Sequence, residues 1–326
     1  SAKYISDRFL PEKAIELLDE AATLTELRAP KDTSSKLRVK VSTVDEALAN
    51  VAKIDAMAIK GDDLESLATL EERIKAQIYG QDEAIQKLVE SVQMSKSGLT
   101  DDGKPVASML FVGPTGVGKT EVAKVLAKEL GVELIRFDMS EYTEKHTVAK
   151  LIGSPAGYIG YDDGGLLTDA IRKTPYCVLL LDEIEKAHSD IYNILLQVMD
   201  YAQLTDNKGN KADFKNVILL MTSNAGAQHA RKANIGFGSG VSTGEAMMKQ
   251  VKQTFKPEFI NRLSATVVFH DMDKQMARLI LDKKLRGFRE KLAVKKVTLN
   301  LSDEAYEWLL EKGFTPEYGA REMDRV

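Results

Sequence analysis

Gly113, Pro114, Thr115, Gly116, Val117, Gly118, Lys119 and Thr120 run consecutively and fit the phosphate-loop pattern at every fixed position. The chemistry follows from the residue types. Glycines let backbone N–H groups turn inward around an anion, and a helix opening behind them points the positive end of its dipole there. Lys119 adds a charge on the outer phosphates, and the Thr120 hydroxyl can hold Mg²⁺. An apolar run precedes the loop and an amphipathic helical pattern follows it, the setting this chemistry requires.

Such a site needs an acidic group at the end of another strand. Val178-Leu179-Leu180-Leu181-Asp182-Glu183 supplies it, with Asp182 placed for the Mg²⁺ shell. Glu183 is placed to orient and deprotonate an attacking water. Adjacent carboxylates are common on surfaces, but at the end of an apolar strand downstream of a phosphate loop they point to a hydrolase. Val217 to Met221 ends in Thr222-Ser223-Asn224, and an amide there can position the nucleophile. Taken alone, Asn224 before Ala225-Gly226 is a turn residue.

These groups must be carried by a frame. The chain has 326 residues, about two domains' worth. At 44% hydrophobic and 29% charged it reads as globular, not disordered. Its net charge of −4 lacks the basic excess of many nucleic-acid binders. The single cysteine, Cys177, excludes a disulfide scaffold and fits a reducing compartment, and it reads as a buried thiol. No apolar run approaches the ~20 residues of a membrane span. The chain starts at Ser1 without a signal peptide and stops at Val326 inside a helical pattern, so a fragment of a longer protein is expected.

Apolar runs at Met109–Val112, Leu134–Phe137, Val178–Leu181, Val217–Met221 and Thr266–Phe269 alternate with helical patterns. Continuous apolar strands between helices predict an α/β fold, a parallel sheet covered on both faces. Upstream, Pro11 suits a first helical turn, with Ala14, Leu17, Leu18 and Ala21 at helical spacing behind it. Thr43 with Glu46 suggests a capping box for a second helix. After His270 the expectation is a long helix over 274–292 and a short strand over 297–301. A helix over 302–311 with Trp308 in the core follows, then a last helix opening near Gly319. The four histidines have no metal-ligand spacing.

Taken in order, Gly80-Gln81-Asp82, the phosphate loop, Asp182-Glu183 and Asn224 resemble an AAA+ ATPase module. Gly319-Ala320-Arg321 resembles that superfamily's second sensor. Phe137-Asp138-Met139-Ser140-Glu141-Tyr142, Gly157-Tyr158-Ile159-Gly160 and Pro257-Glu258-Phe259-Ile260-Asn261-Arg262-Leu263 resemble the second ATPase module of the Clp unfoldases, with a ClpA-type pattern. Ile5-Ser6-Asp7-Arg8 and the residues after it resemble the small helical subdomain that closes a first module.

The resemblance implies an organisation: residues 1–60 as the tail of a preceding module, 61–270 as the large P-loop subdomain, and 271–326 as a truncated small helical subdomain. It implies ATP or ADP with Mg²⁺, Ile78, Tyr79 and Gly80 near the adenine, and Arg321 reaching the phosphates. Arg262 would be an arginine finger for a neighbouring subunit, although by itself it reads as a helix-surface ion pair. Tyr158, between Gly157 and Ile159-Gly160, would be a pore-loop aromatic that grips polypeptide by apolar contact. Ile235-Gly236-Phe237 would dock a ClpP-type peptidase. The implied protein is a cytoplasmic homo-hexamer acting on protein substrates, with adaptors, and with neither nucleic acid nor membrane as a partner. Alternatives are a Clp-family disaggregase working without a peptidase, a nucleic-acid remodeller, and a nucleotide-dependent binding module without turnover. Ile235–Phe237 argues against the first, the −4 charge and the Tyr158 loop against the second, and Glu183 with Arg262 against the third.

Overall fold

A computed structural model of the protein describes residues 10–29, 37–52, 64–98, 103–153, 164–226, 243–315 and 319–326. Each apolar run becomes a strand: β1 Ala107–Val112, β2 Glu133–Asp138, β3 Cys177–Asp182, β6 Val217–Ser223 and β7 Ala265–Val268. They pair in the order β2-β3-β6-β1-β7, and all pairings are parallel. Strands β1, β3 and β6 are buried at every position, which is why they read as unbroken apolar runs without alternation. β2 closes one edge and keeps several residues partly exposed. A separate hairpin pairs β4 Gln203–Thr205 with β5 Lys211–Asp213, elements too short to show a period in the sequence.

The two faces of the sheet carry separate cores. One gathers Leu110, Leu179, Leu181, Leu219 and Met221 against Ile191, Leu195, Phe214 and Phe259. The other packs Met109, Phe111, Leu180 and Leu220 against Leu126 of the helix Lys119–Leu130, and against Ile85 and Leu88 of the helix Asp82–Lys96. Alternate residues of one strand thus face opposite helical layers. A small third core holds Ala277, Leu281 and Leu310, from the helices Lys274–Val294 and Asp303–Gly313. A fourth joins Leu17 and Ala21 of Glu12–Arg28 to Ala47 and Leu48 of Val41–Ala52.

Four local expectations are corrected. Thr43 is inside the second helix, not its cap, because the N–H groups of Thr43 and Val44 donate back to the Lys40 carbonyl at 3.0 and 3.2 Å. Glu46 instead accepts a two-armed hydrogen bond from Arg28 at 2.7 and 2.5 Å. No strand forms over 297–301; Lys296 takes φ 59° and the Val297 N–H folds back onto the Leu292 carbonyl at 3.0 Å. Trp308 is 54% exposed, since Leu310, Tyr306 and Leu309 take the inward face of its helix. The helix expected near Gly319 is a short 3-10 turn, Arg321–Asp324.

Candidate active site

The phosphate loop runs from the end of β1 into the helix Lys119–Leu130. Gly118 precedes that helix with φ 103°, a conformation that favours glycine, and it turns the chain sharply enough to aim the first helical N–H groups back at the loop. The Lys119 ammonium is buried inside the loop and donates to the Gly113 carbonyl at 2.6 Å, the Pro114 carbonyl at 2.7 Å and Asn224 Oδ1 at 2.8 Å. Burial pushes its pKa down to about 8, against the Glu185, Asp182 and Glu183 carboxylates, which favour its charge.

The parallel register sets β2, β3 and β6 side by side and brings their ends to the loop. Asp182 is buried, with Oδ2 accepting from the Thr120 hydroxyl at 3.4 Å and from Arg136 Nη2 at 2.7 Å and Nε at 3.1 Å. Its Oδ1 accepts a short hydrogen bond from the Thr222 hydroxyl. Thr222 Oγ1 also accepts from the Glu183 N–H at 3.0 Å, so one hydroxyl ties both acidic residues to β6. Glu183 takes φ 57°, unusual for a residue with a side chain, and turns the chain out of the sheet. Its carboxylate pairs with Lys186 at 2.5 Å.

Thr120 and Asp182 bring a hydroxyl and a carboxylate together, and hard oxygen donors of this kind suit Mg²⁺. Among the described residues no cluster of three or more His, Cys, Asp or Glu side chains forms a separate metal site. Cys177 is a buried thiol pushed up to about 12 by burial, unsuited to nucleophilic chemistry.

The residues expected near the base lie at a junction. Ile78 is buried in the core and Tyr79 is partly buried. Gly80 lies so close to Met276, at the start of the Lys274–Val294 helix, that a Cβ would fall 2.2 Å from its methyl. Gln81 is a clamp: Nε2 donates to the His270 carbonyl at 3.0 Å and the Val117 carbonyl at 3.5 Å, and Oε1 accepts from the His270 N–H at 3.1 Å. Gly319, with φ 60°, packs onto the phosphate loop, where a Cβ would meet the Gly116 carbonyl oxygen at 2.7 Å. Arg321, two residues on, is exposed.

Arg262 lies apart from this centre. Its Nε donates to both Asp200 oxygens at 2.7 Å and its Nη1 lies 3.4 Å from Glu258, with the side chain 31% exposed. Gly157, Tyr158, Ile159 and Gly160, and likewise Ile235, Gly236 and Phe237, lie outside the described residues.

Sequence reasoning missed Arg136, Thr222 and Glu185. Arg136 left a signal, a lone charge within an apolar run, but its partner depends on β2 lying beside β3. Thr222 left none, because a threonine at a strand end is ordinary.

The chain is similar to known proteins along its whole length. Residues 104–266 match a family model described as an AAA domain (Cdc48 subfamily), residues 272–326 the C-terminal, D2-small domain of ClpB protein, and residues 1–77 an AAA lid domain. A ClpA homolog protein of Fuscovulum blasticum is 47% identical over 100% of this chain and 41% of its own length. The ATP-dependent Clp protease ATP-binding subunit ClpC of Staphylococcus epidermidis is 37% identical over 100% of this chain and 48% of its own. Chaperone protein ClpB 1 of Synechococcus elongatus is 42% identical over 91% and 35%. The chain therefore spans less than half the length of these relatives. A cryoEM structure of Hsp104 with ATPγS and FITC casein superposes with TM-score 0.78 at 36% identity, over 99% of this chain and 56% of that one.

Proposed function

The chain belongs to the Clp group of AAA+ ATPases, and from that premise we propose that it hydrolyses ATP to drive the unfolding and translocation of protein substrates. The observation that carries the reading is the convergence of Lys119, Asn224, Thr120 and Asp182 on one helix N-terminus, with Gly319 of the C-terminal segment packed on the same loop. The loop from Gly113 to Thr120 cradles the phosphates by its N–H groups, and Lys119 exchanges its carbonyl and amide partners for phosphate oxygens. Thr120 and Asp182 would hold Mg²⁺, which would supply positive charge to offset that of the phosphates. Glu183 takes the proton of the attacking water, and must first part from Lys186. Asn224 positions that water. Gly319 on Gly116 supports a coupling role for Arg321, since the short segment bearing it lies against the phosphate loop.

In this reading residues 61–270 form the large subdomain, 271–326 the small one, and 1–60 the tail of a preceding module. Arg262 serves the neighbouring subunit's site in a homo-hexamer. Tyr158 grips substrate, and Ile235 and Phe237 dock a ClpP-type peptidase. The names of the relatives support two end points, since ClpC is a Clp protease subunit whereas ClpB is a chaperone. The Ile235-Gly236-Phe237 sequence and the similarity to a ClpA homolog favour delivery to a peptidase over disaggregation. Among the described residues no helix is long and apolar enough to cross a membrane.

ATPase activity measured against protein concentration, with and without a ClpP-type peptidase, tests the reading. Specific activity rising with concentration, together with degradation of an unfolded reporter only when the peptidase is added, is the expected result. Reactivation of aggregates without any peptidase binding would select the disaggregase instead.

A further inference from the structure

Glu185 sits in the 3-10 turn Ile184–Lys186, just past Glu183. Its Oε1 accepts a hydrogen bond from the Asn224 backbone N–H at 3.0 Å. Its Oε2 is shielded from solvent and has no hydrogen-bond partner among the described residues. An unpaired buried carboxylate oxygen is costly, so a fold that keeps one is meeting another demand.

The surroundings indicate what the demand is. The turn is pinned from two sides: the Tyr192 hydroxyl donates to the Ile184 carbonyl at 2.6 Å, and the Glu183 N–H donates to Thr222 at 3.0 Å. The Glu185 carboxylate is therefore a fixed acceptor aimed at the end of β6. Asn224, held there by its N–H, presents Oδ1 to the Lys119 ammonium at 2.8 Å. Glu185, Asn224 and Lys119 form one chain of contacts from the turn that carries Glu183 to the phosphate loop. Among the neighbouring carboxylates Glu185 does most to favour the charged form of Lys119.

We propose that Glu185 is a positioning residue for hydrolysis: its carboxylate fixes the backbone of Asn224 and so holds that amide at the mouth of the phosphate loop, where it positions the water. The proposal rests on the reading that Asn224 acts in hydrolysis. Glu185 touches no reacting atom in this scheme and acts only through Asn224.

Steady-state ATP hydrolysis by the full-length protein tests it. Glu185→Ala should lower kcat about tenfold, the effect of one lost hydrogen bond to a charged group, with KM for ATP held within about threefold. Glu185→Gln keeps an oxygen acceptor for the Asn224 N–H and should restore kcat to within about threefold of the unaltered protein. In an Asn224→Ala background, Glu185→Ala should cost nothing further, because the residue it positions is gone. Equal losses in both backgrounds, or a rise in KM without a fall in kcat, would overturn the proposal. A Glu185→Gln protein that melts normally but is as slow as Asn224→Ala would also overturn it, and this variant decides the matter if Glu185→Ala fails to fold. Unaltered kcat in Asn224→Ala alone would instead overturn the role of Asn224, which separates the two failures.

Discussion

Lys119 and Arg262 are both basic side chains proposed to meet phosphate, yet the molecule treats them differently. Lys119 is buried, and its three acceptors are two carbonyls of its own loop and an amide at the end of the adjacent strand β6. Arg262 is only partly buried and lies on Asp200 and Glu258, both about a third exposed or more. A group serving its own chain's site is preorganised by the fold, at the cost of desolvating its charge. A group serving a neighbour's site must stay solvated and paired until the neighbour arrives, and exposed ion pairs are cheap to exchange.

The contrast can be broken by substitution. Arg262→Ala should lower ATP turnover by about 10³–10⁵ while leaving nucleotide affinity of each subunit intact. Mixing it with Glu183→Gln subunits should restore part of the activity, since one interface then joins two intact halves. Silence in mixtures shown by cross-linking to be assembled would make Arg262 a structural ion pair. Glu183→Gln alone should lower kcat by about 10²–10⁴ with nucleotide binding retained, measured by a fluorescent ADP analogue. Loss of binding instead would assign Glu183 to the metal or to the fold.

Lys119→Ala should weaken nucleotide binding about 10- to 100-fold, the worth of charge-assisted hydrogen bonds to phosphate, and turnover falls with it. The acidity of Lys119 sharpens the same point. With a pKa near 8 it is largely charged at pH 7, and a polyphosphate binds the charged form. Nucleotide affinity should therefore be flat below pH 7 and fall as pH rises through about 8; isothermal titration across pH 6.5 to 9.5 reads it, and affinity unchanged at pH 9 would refute it. The smallest effect belongs to Asp200→Ala, which removes one of the two carboxylate partners of Arg262 without touching the centre. Its thermal unfolding should barely move, and a marked drop would show that the Arg262 pair holds the fold.

Much of this was legible in the chain. Residues 113–120 and Asp182-Glu183 were readable because their chemistry is local: a run of neighbours makes the loop, and a strand end presents the acids. The central strands were readable because burial on both faces leaves only apolar residues. Trp308 misled, since aromatic character says nothing about which helix face meets the core, and Leu310 took that place. The strand expected over 297–301 misled because a β-prone run needs an edge to pair with.

The sequence by itself determined the phosphate loop, the acidic strand end, the alternation of apolar strands with helices, and through its motifs the family. Tertiary structure alone decided that β6 lies between β1 and β3, which puts Thr222 beside Asp182 and Asn224 beside Lys119. It also decided that Gly319 rests on Gly116 and that Arg136 bonds Asp182. The division has a physical cause. Local patterns are set by backbone geometry over a few residues, whereas strand order and register come from burial summed over the whole sheet, and no short segment carries that sum.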